Sequence, residues 1–323
     1  MHDVANQIRD WETCGNWRVS PGVPWCPKGH RVRIGEGFRV HGDALVGDNV
    51  VIGPNVEIGW DAAVGANAHL AESVRIESGA VVGDGCRIGR GTWVGLKARI
   101  GEYADIGAFC RIGGGCAIGD RVSVGDTSRF GERVVLAPGV LVGRRCEFGG
   151  GAEVLERTEV GEHCDLGENV SIGEWCVIAD SVAMGEESFV GGHCEIGHRS
   201  VLGTMARVED DCHLGSRVRV GRKATLERRT IVGGQAVVPD GADFVRHLGY
   251  DAAMNPVTVS LVDDEAVMVI GRRAGTFDSV RKRVWDTGDP VMPAMLSLAD
   301  VVVEHERFLR RAEQGAEGAP GAG

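Results

Sequence analysis

The chain has 323 residues, enough for one large domain or two small ones with a sizeable core. Its 50 glycines are more than twice ordinary usage, while the 10 prolines show no period, which excludes collagen. A net charge of −11 and a pI of about 5.4 argue against nucleic acid as a partner, because phosphates demand clustered Lys and Arg.

In chain order, the start MHDVANQIRDWETC lacks the basic residues and apolar run of a secretory signal. No stretch approaches the roughly 18 apolar residues of a membrane span, so a cytoplasmic chain with no span is expected. Residues 3–12 place Val4, Ile8 and Trp11 on one helical face. Residues 1–33 are therefore expected to form an N-terminal helix and cap, with PGVPWCP as a proline-rich link.

Stepping by six from Ile34 gives Val40, Val46, Ile52, Ile58, Val64 and so on to Val238, and all 35 positions hold Ile, Val, Leu, Met or Phe. Gly follows in 26 of the 35, and four residues after each comes a small residue, Phe38 being the exception. A helix would show a period of about 3.6 and a simple strand a period of 2. A triangular coil accounts for six. Each hexad supplies a short strand, whose small and aliphatic residues point inward, and then a corner; three hexads close one coil. Gly and the polar residues after it, such as Asn49, Asn55, Asn67 and Asn169, suit corners that need unusual backbone angles. Residues 34–242 are thus expected to form one all-β solenoid. Of ten cysteines, eight (Cys86, Cys110, Cys116, Cys146, Cys164, Cys176, Cys194 and Cys212) fall in the small inward register. They are expected to be free and buried, since no C-x-x-C occurs.

Residues 243–314 read as a small α+β appendage. PVTVSLVDDEAVMVIG is a hairpin turning at Asp263 and Asp264, FDSVRKRVW a helix, and Ser297 begins a second helix. Residues 315–323 read as a disordered tail.

The [LIV]-G-x-x-[small]-x pattern over about two thirds of the chain resembles the bacterial hexapeptide-repeat superfamily. The resemblance implies a left-handed parallel β-helix, usually a homotrimer. It also implies an acyltransferase that moves an acyl group, such as acetyl, from a coenzyme A or acyl-carrier-protein thioester to a hydroxyl or amine of a small-molecule acceptor, with no tightly bound cofactor. In the acyltransferases of lipid A synthesis a histidine general base stands in a pattern close to A-H-[DN]-x-x-[IV]-G. Only His198 occupies that place, in GHRSVLG, with Leu202 and Gly203 following; Gly197 and Arg199 depart from the pattern. Stacking of every third hexad puts Asp180 one coil below His198 and Ser216 one above. A carboxylate beside an imidazole raises its pKa and fixes its orientation, so His198 and Asp180 are the candidate catalytic residues.

Three outer features complete the reading. Leu45, Ala63, Val81, Ala117, Val135 and Phe189, interrupted by Arg99, Glu153, Ser171 and Arg207, form an apolar stripe that needs a cover, which either a trimer or docking of the chain's own C-terminal appendage would supply. Arg39, Arg75, Arg111 and Arg129 share a face with Trp93, fit either for an anion or, with Glu57, Glu147 and Asp165, for a mixed solvated surface. Asp84, Glu102 and Asp120 stack as an acidic edge that a divalent cation would fit. No metal site is expected from histidine, because His193 and His198 have H-x-x-x-x-H spacing but no third partner. The competing function is a non-catalytic structural or ligand-binding scaffold, since no loop is ejected between hexads.

Overall fold

The computed structural model describes residues 12–14, 17–19, 32–41, 43–271, 273–287 and 290–317, and the chain divides into two compact units, 1–187 and 188–323. The expected N-terminal helix lies outside the described residues apart from Glu12, which is in a strand. Glu12–Cys14 and Trp17–Val19 pair antiparallel, and the second pairs antiparallel with Arg33–Ile34.

From Arg33 onward the first unit is a left-handed parallel β-helix of hexapeptide repeats. Its strands are short, and each pairs in parallel with the strand three hexads on, as in Arg75↔Trp93 and Ile76↔Val94, then Trp93↔Arg111 and Val94↔Ile112. The sixfold aliphatics (Ile52, Ile58, Leu70, Ile76) and the small residues two places before the next of them (Val50, Val56, Ala68, Val74) are fully buried. Phe130 and Phe148 stack on successive coils with ring centroids 4.8 Å apart. Each buried aliphatic side chain contributes about 1.5–3 kcal/mol, so the coil's interior column is its main source of stability.

Two different demands shape the corners. The Gly after the aliphatic has ordinary φ but faces the next coil's backbone at close range: a Cβ on Gly89 would lie 2.4 Å from the Gly107 carbonyl carbon, and one on Gly113 2.2 Å from the Gly131 oxygen. The left-handed conformation sits two residues later. Asn49, Asn55, Asn67 and Asn169 take φ of 59°, 57°, 58° and 54° there, as expected. Tyr103, Arg121, Arg133 and Trp175 take the same conformation, at a cost of roughly 1–2 kcal/mol each that Asn or Gly would lessen. The repeat enforces it: each such residue donates its N–H one coil down, Tyr103 to the Asp84 carbonyl and Arg121 to that of Glu102, both at 2.8 Å.

The second unit carries a β-helix of the same kind of hexads from Ser188 to Val238, with Glu195↔His213, Val201↔Arg219 and Phe189↔Arg207 as paired outward residues. The six-residue register then slips by one. Phe244, in place to pair with Leu226, adopts φ 59° instead and Val245 takes the pairing. This bulge re-aims Phe244 into a separate core with Val257, Val259, Leu261, Met268, Phe277 and Leu296. The strands Asp243–Tyr250, Pro256–Val262, Glu265–Ile270 and Arg273–Thr276 form an antiparallel meander, with the hairpin turning at Asp263 (φ 47°) and Asp264 (φ 64°) as read from the sequence.

Two helices follow, Phe277–Thr287 and Met292–Glu317. The second begins ahead of the expected Ser297. Pro293 fits a first helical turn, and Ser297 Oγ donates to the Pro293 carbonyl at 3.1 Å inside the helix rather than capping it. Residues 315–317 of the expected tail also belong to this helix, and the rest of the tail lies outside the described residues.

The corner geometry separates adjacent glycines. Gly113→Ala, forced against the Gly131 oxygen, is expected to destabilise by about 1–3 kcal/mol. Gly114→Ala, whose Cβ would meet nothing nearer than the Leu96 oxygen at 3.4 Å, is expected to be neutral or slightly stabilising. Denaturant midpoints of the two variants check this.

Candidate functional site

The acidic corner has a structural explanation. Asp84, Asp120, Asp126 and Asp180 each turn Oδ1 toward the preceding coil and accept the backbone N–H of Ala66, Glu102, Ala108 and Glu162 at 2.7–2.8 Å. Asp210 and Asp240 repeat the contact in the second unit with Gly192 and Arg222. A carboxylate at this position satisfies a corner amide that the strand ladders leave unpaired, and such charge-assisted bonds are among the stronger ones. On the Asp84, Glu102, Asp120 edge the two aspartates are therefore backbone caps, and Glu102 is one of the residues capped. Among the described residues no cluster of His, Cys, Asp and Glu fits a metal ion.

The arginine face is a mixed surface. Arg75 Nε lies 3.5 Å from Glu57 and 3.2 Å from Glu77, Arg129 pairs with Glu147 at 2.9 Å, and the Arg111 guanidinium lies 4.7 Å over the Trp93 ring. Two members of this network escaped the sequence reading. His41 contacts Glu57 at 3.3 Å and stacks on Trp60 at 5.9 Å, while Glu77 accepts the Trp93 indole N–H at 2.8 Å. Their signal was available: positions 41 and 77 lack the usual corner Gly, and a side chain there lies against the neighbouring coils.

A shallow groove of about 380 Å³ runs along the corner of the first unit, lined by Glu102, Tyr103, Asp120, Arg121, Pro138, Gly139, Glu156 and Arg157. It opens where Gly139 interrupts a row of long side chains, and Arg157 stacks on Trp175 at 4.7 Å.

His198 lies on an exposed corner of the second unit. Its carbonyl accepts the Arg217 N–H at 2.8 Å, and two residues later Ser200 Oγ donates to the Gly215 carbonyl and accepts the Val218 N–H, both at 3.1 Å. These bonds fix the turn that presents the imidazole. The departures from the family pattern are legible as geometry: a Cβ on Gly197 would lie 2.5 Å from the next coil's backbone, and Arg199 occupies the left-handed corner position, φ 58°. Asp180 lies in the first unit, where its carboxylate caps Glu162. Elsewhere in the second unit, His213 Nδ1 lies 2.9 Å from Glu195.

The eight repeat cysteines are free and buried. They share a role with Thr and Ser at the same inward position. Cys86, Cys116 and Cys146 Sγ donate to the carbonyls of Gly101, Gly131 and Gly161 at 2.8–3.0 Å, as Thr92 Oγ1 does to Gly107 at 2.7 Å. Burial raises the Cys86 and Cys116 thiols and pushes that of Cys110 up to about 11, which disfavours the reactive thiolate.

The fold is that of the hexapeptide-repeat proteins. Residues 29–139 match the family described as GMPPB C-terminal domain. No curated protein sequence matches the chain. Among solved structures it is similar to the UDP-N-acetylglucosamine acyltransferase of Francisella novicida, at 20% identity over 64% of this chain and 66% of that one, with a TM-score of 0.29. It is also similar to the Arabidopsis UDP-N-acetylglucosamine acyltransferase, at 17% identity over 65% and 68%, TM-score 0.31. A third is the Caulobacter crescentus protein PerB in complex with CoA and GDP-perosamine, at 22% identity over 43% and 52%, TM-score 0.21. The chain spans just under two thirds of the length of the Francisella novicida protein. Among the described residues no helix is long and apolar enough to cross a membrane.

Proposed function

We propose that the protein is an acyltransferase, moving an acyl group from a coenzyme A or acyl-carrier-protein thioester to a hydroxyl or amine on a small acceptor. The observation that supports this reading most is the presentation of His198: it alone meets the family's histidine spacing, and it stands exposed on a corner held by the Arg217 and Ser200 hydrogen bonds. In this reading the neutral imidazole takes the proton from the acceptor hydroxyl or amine as that group attacks the thioester carbonyl, and the thiol leaves. Asp180, three hexads earlier in the repeat, is assigned the tuning of His198.

A specific observation favours a second reading, a non-catalytic scaffold. The hexads run from Ile34 to Val238 without an inserted residue, so no ejected loop builds a walled pocket. The two readings separate on His198→Ala. The acyltransferase reading expects a loss of about 10²- to 10⁴-fold in thioester-dependent turnover with little change in stability. Asp180→Asn, which keeps an oxygen for the Glu162 amide, is expected to lower turnover less than His198→Ala does. Undiminished turnover in His198→Ala would remove His198 from the mechanism. Failure to bind any coenzyme A thioester or acyl carrier protein would favour the scaffold.

The assembly proposed is a homotrimer formed through the apolar stripe of the β-helix, where Leu45 is 56% exposed and Val81 and Val135 remain on the surface. Sedimentation is expected to show a species heavier than the single chain, and Val81→Asp is expected to loosen the assembly. A monomer at all concentrations would contradict it.

A further inference from the structure

The helix Met292–Glu317 has two apolar faces. One carries Met292, Leu296, Ala299 and Val303 and is buried in the core of the second unit. The other carries Leu298, Val301, His305, Phe308 and Leu309, all exposed, with Val301 at 66% and Phe308 at 65%. Their spacings of three and four make one continuous seam along the helix, the arrangement by which helices pair. A strip of this kind on an ordered helix marks an interaction surface rather than a scatter of single apolar side chains.

We infer that this seam is covered by the same seam of a second copy of the chain, running antiparallel. The flanking charges choose both partner and direction. One edge of the seam carries Asp300 and Glu304 in its first half and Arg307 and Arg311 in its second. Two antiparallel copies bring like edges together, so the acidic half of each meets the basic half of the other about a two-fold axis near His305. A parallel pair would set this edge against the other one, which carries Val302, Glu306 and Leu309 and so gives Asp300 and Glu304 no basic partner. Within the chain Asp300 holds Arg281 at 2.6 Å and Glu304 holds Arg307 at 2.8 Å, whereas exposed Arg311 makes no ion pair among the described residues. In the paired state Arg311 gains an acidic partner, the Asp300 of the other copy, while Glu304 of each copy faces Arg307 of the other. Five side chains per copy place the contact at the small end of specific interfaces, so the pairing depends on concentration.

The test is sedimentation of the full chain over a wide concentration range, comparing each variant with the wild type. Phe308→Asp and Val301→Asp, both at exposed positions, are expected to halve the limiting mass while leaving the circular dichroism spectrum and melting temperature nearly unchanged. The factor of two is read whether the β-helix itself is a monomer or a trimer, so failure of the trimer and failure of this pairing remain distinguishable. Asp300→Arg alone and Arg311→Glu alone are expected to weaken the pairing, and the double exchange to restore it, since antiparallel symmetry sets each reversed charge against the other. Equal limiting masses for wild type and Phe308→Asp would overturn the inference. Pairing lost in the single exchanges and not recovered in the double would overturn the antiparallel register.

Discussion

Everything in the β-helix depends on how closely successive coils approach at the corners. Gly35, Gly53, Gly89 and Gly113 face the backbone of the next coil at distances that exclude a Cβ. That approach lets residues one coil apart form parallel pairs such as Ile76↔Val94 and Ile112↔Phe130, and it leaves the inward side chains in unbroken columns. A solenoid built this way has only nearest-neighbour contacts, so each hexad must satisfy the same geometry as the last. The cost is visible two residues along the chain, where Tyr103, Arg121 and Trp175 accept left-handed backbone angles to keep their amide bonds to the coil below.

The same constraint decides what the surface can do. Outward side chains stand on a fixed grid, and polar groups are consumed in holding coils together: aspartates cap corner amides, cysteines and threonines donate to inward-turned carbonyls, and arginines pair across coils. The proposed function is carried by a corner histidine, His198, on a turn that the hydrogen bonds of Arg217 and Ser200 hold. The appendage escapes the grid through a single residue. Phe244, in a left-handed conformation, shifts the register by one and starts a conventional antiparallel sheet with its own core.

The β-helix was legible in the sequence because a six-residue period leaves no competing architecture, and the hairpin at Asp263 and Asp264 because two turn residues separate two apolar runs. What was not legible required neighbours one coil away. The aspartates of the acidic edge looked like free carboxylates, since nothing in the linear pattern shows that Asp120 reaches the amide of Glu102. The roles of corner glycines and corner asparagines were merged, because close approach and positive φ occur two residues apart and both favour Gly. Ser297 read as a cap since serine does cap helices, yet Pro293 fits the start and the serine hydroxyl turns back to its carbonyl. Of the candidate site, the spacing around His198 was legible while its anchoring by Arg217 and Ser200 was not.

The register of three hexads per coil is tested most directly by amide hydrogen exchange at the acidic corner. Glu102 donates its N–H to Asp120, whereas the corner residue Glu156, with Glu174 in the matching place one coil on, donates to no such cap among the described residues. Slow exchange at Glu102 and fast exchange at Glu156 are expected, with Asp120→Ala raising the rate at Glu102 and at no other corner amide of this kind. Equal exchange at the two positions, or a response to Asp120→Ala at an amide other than the one a full coil below it, would contradict the register on which the whole account rests.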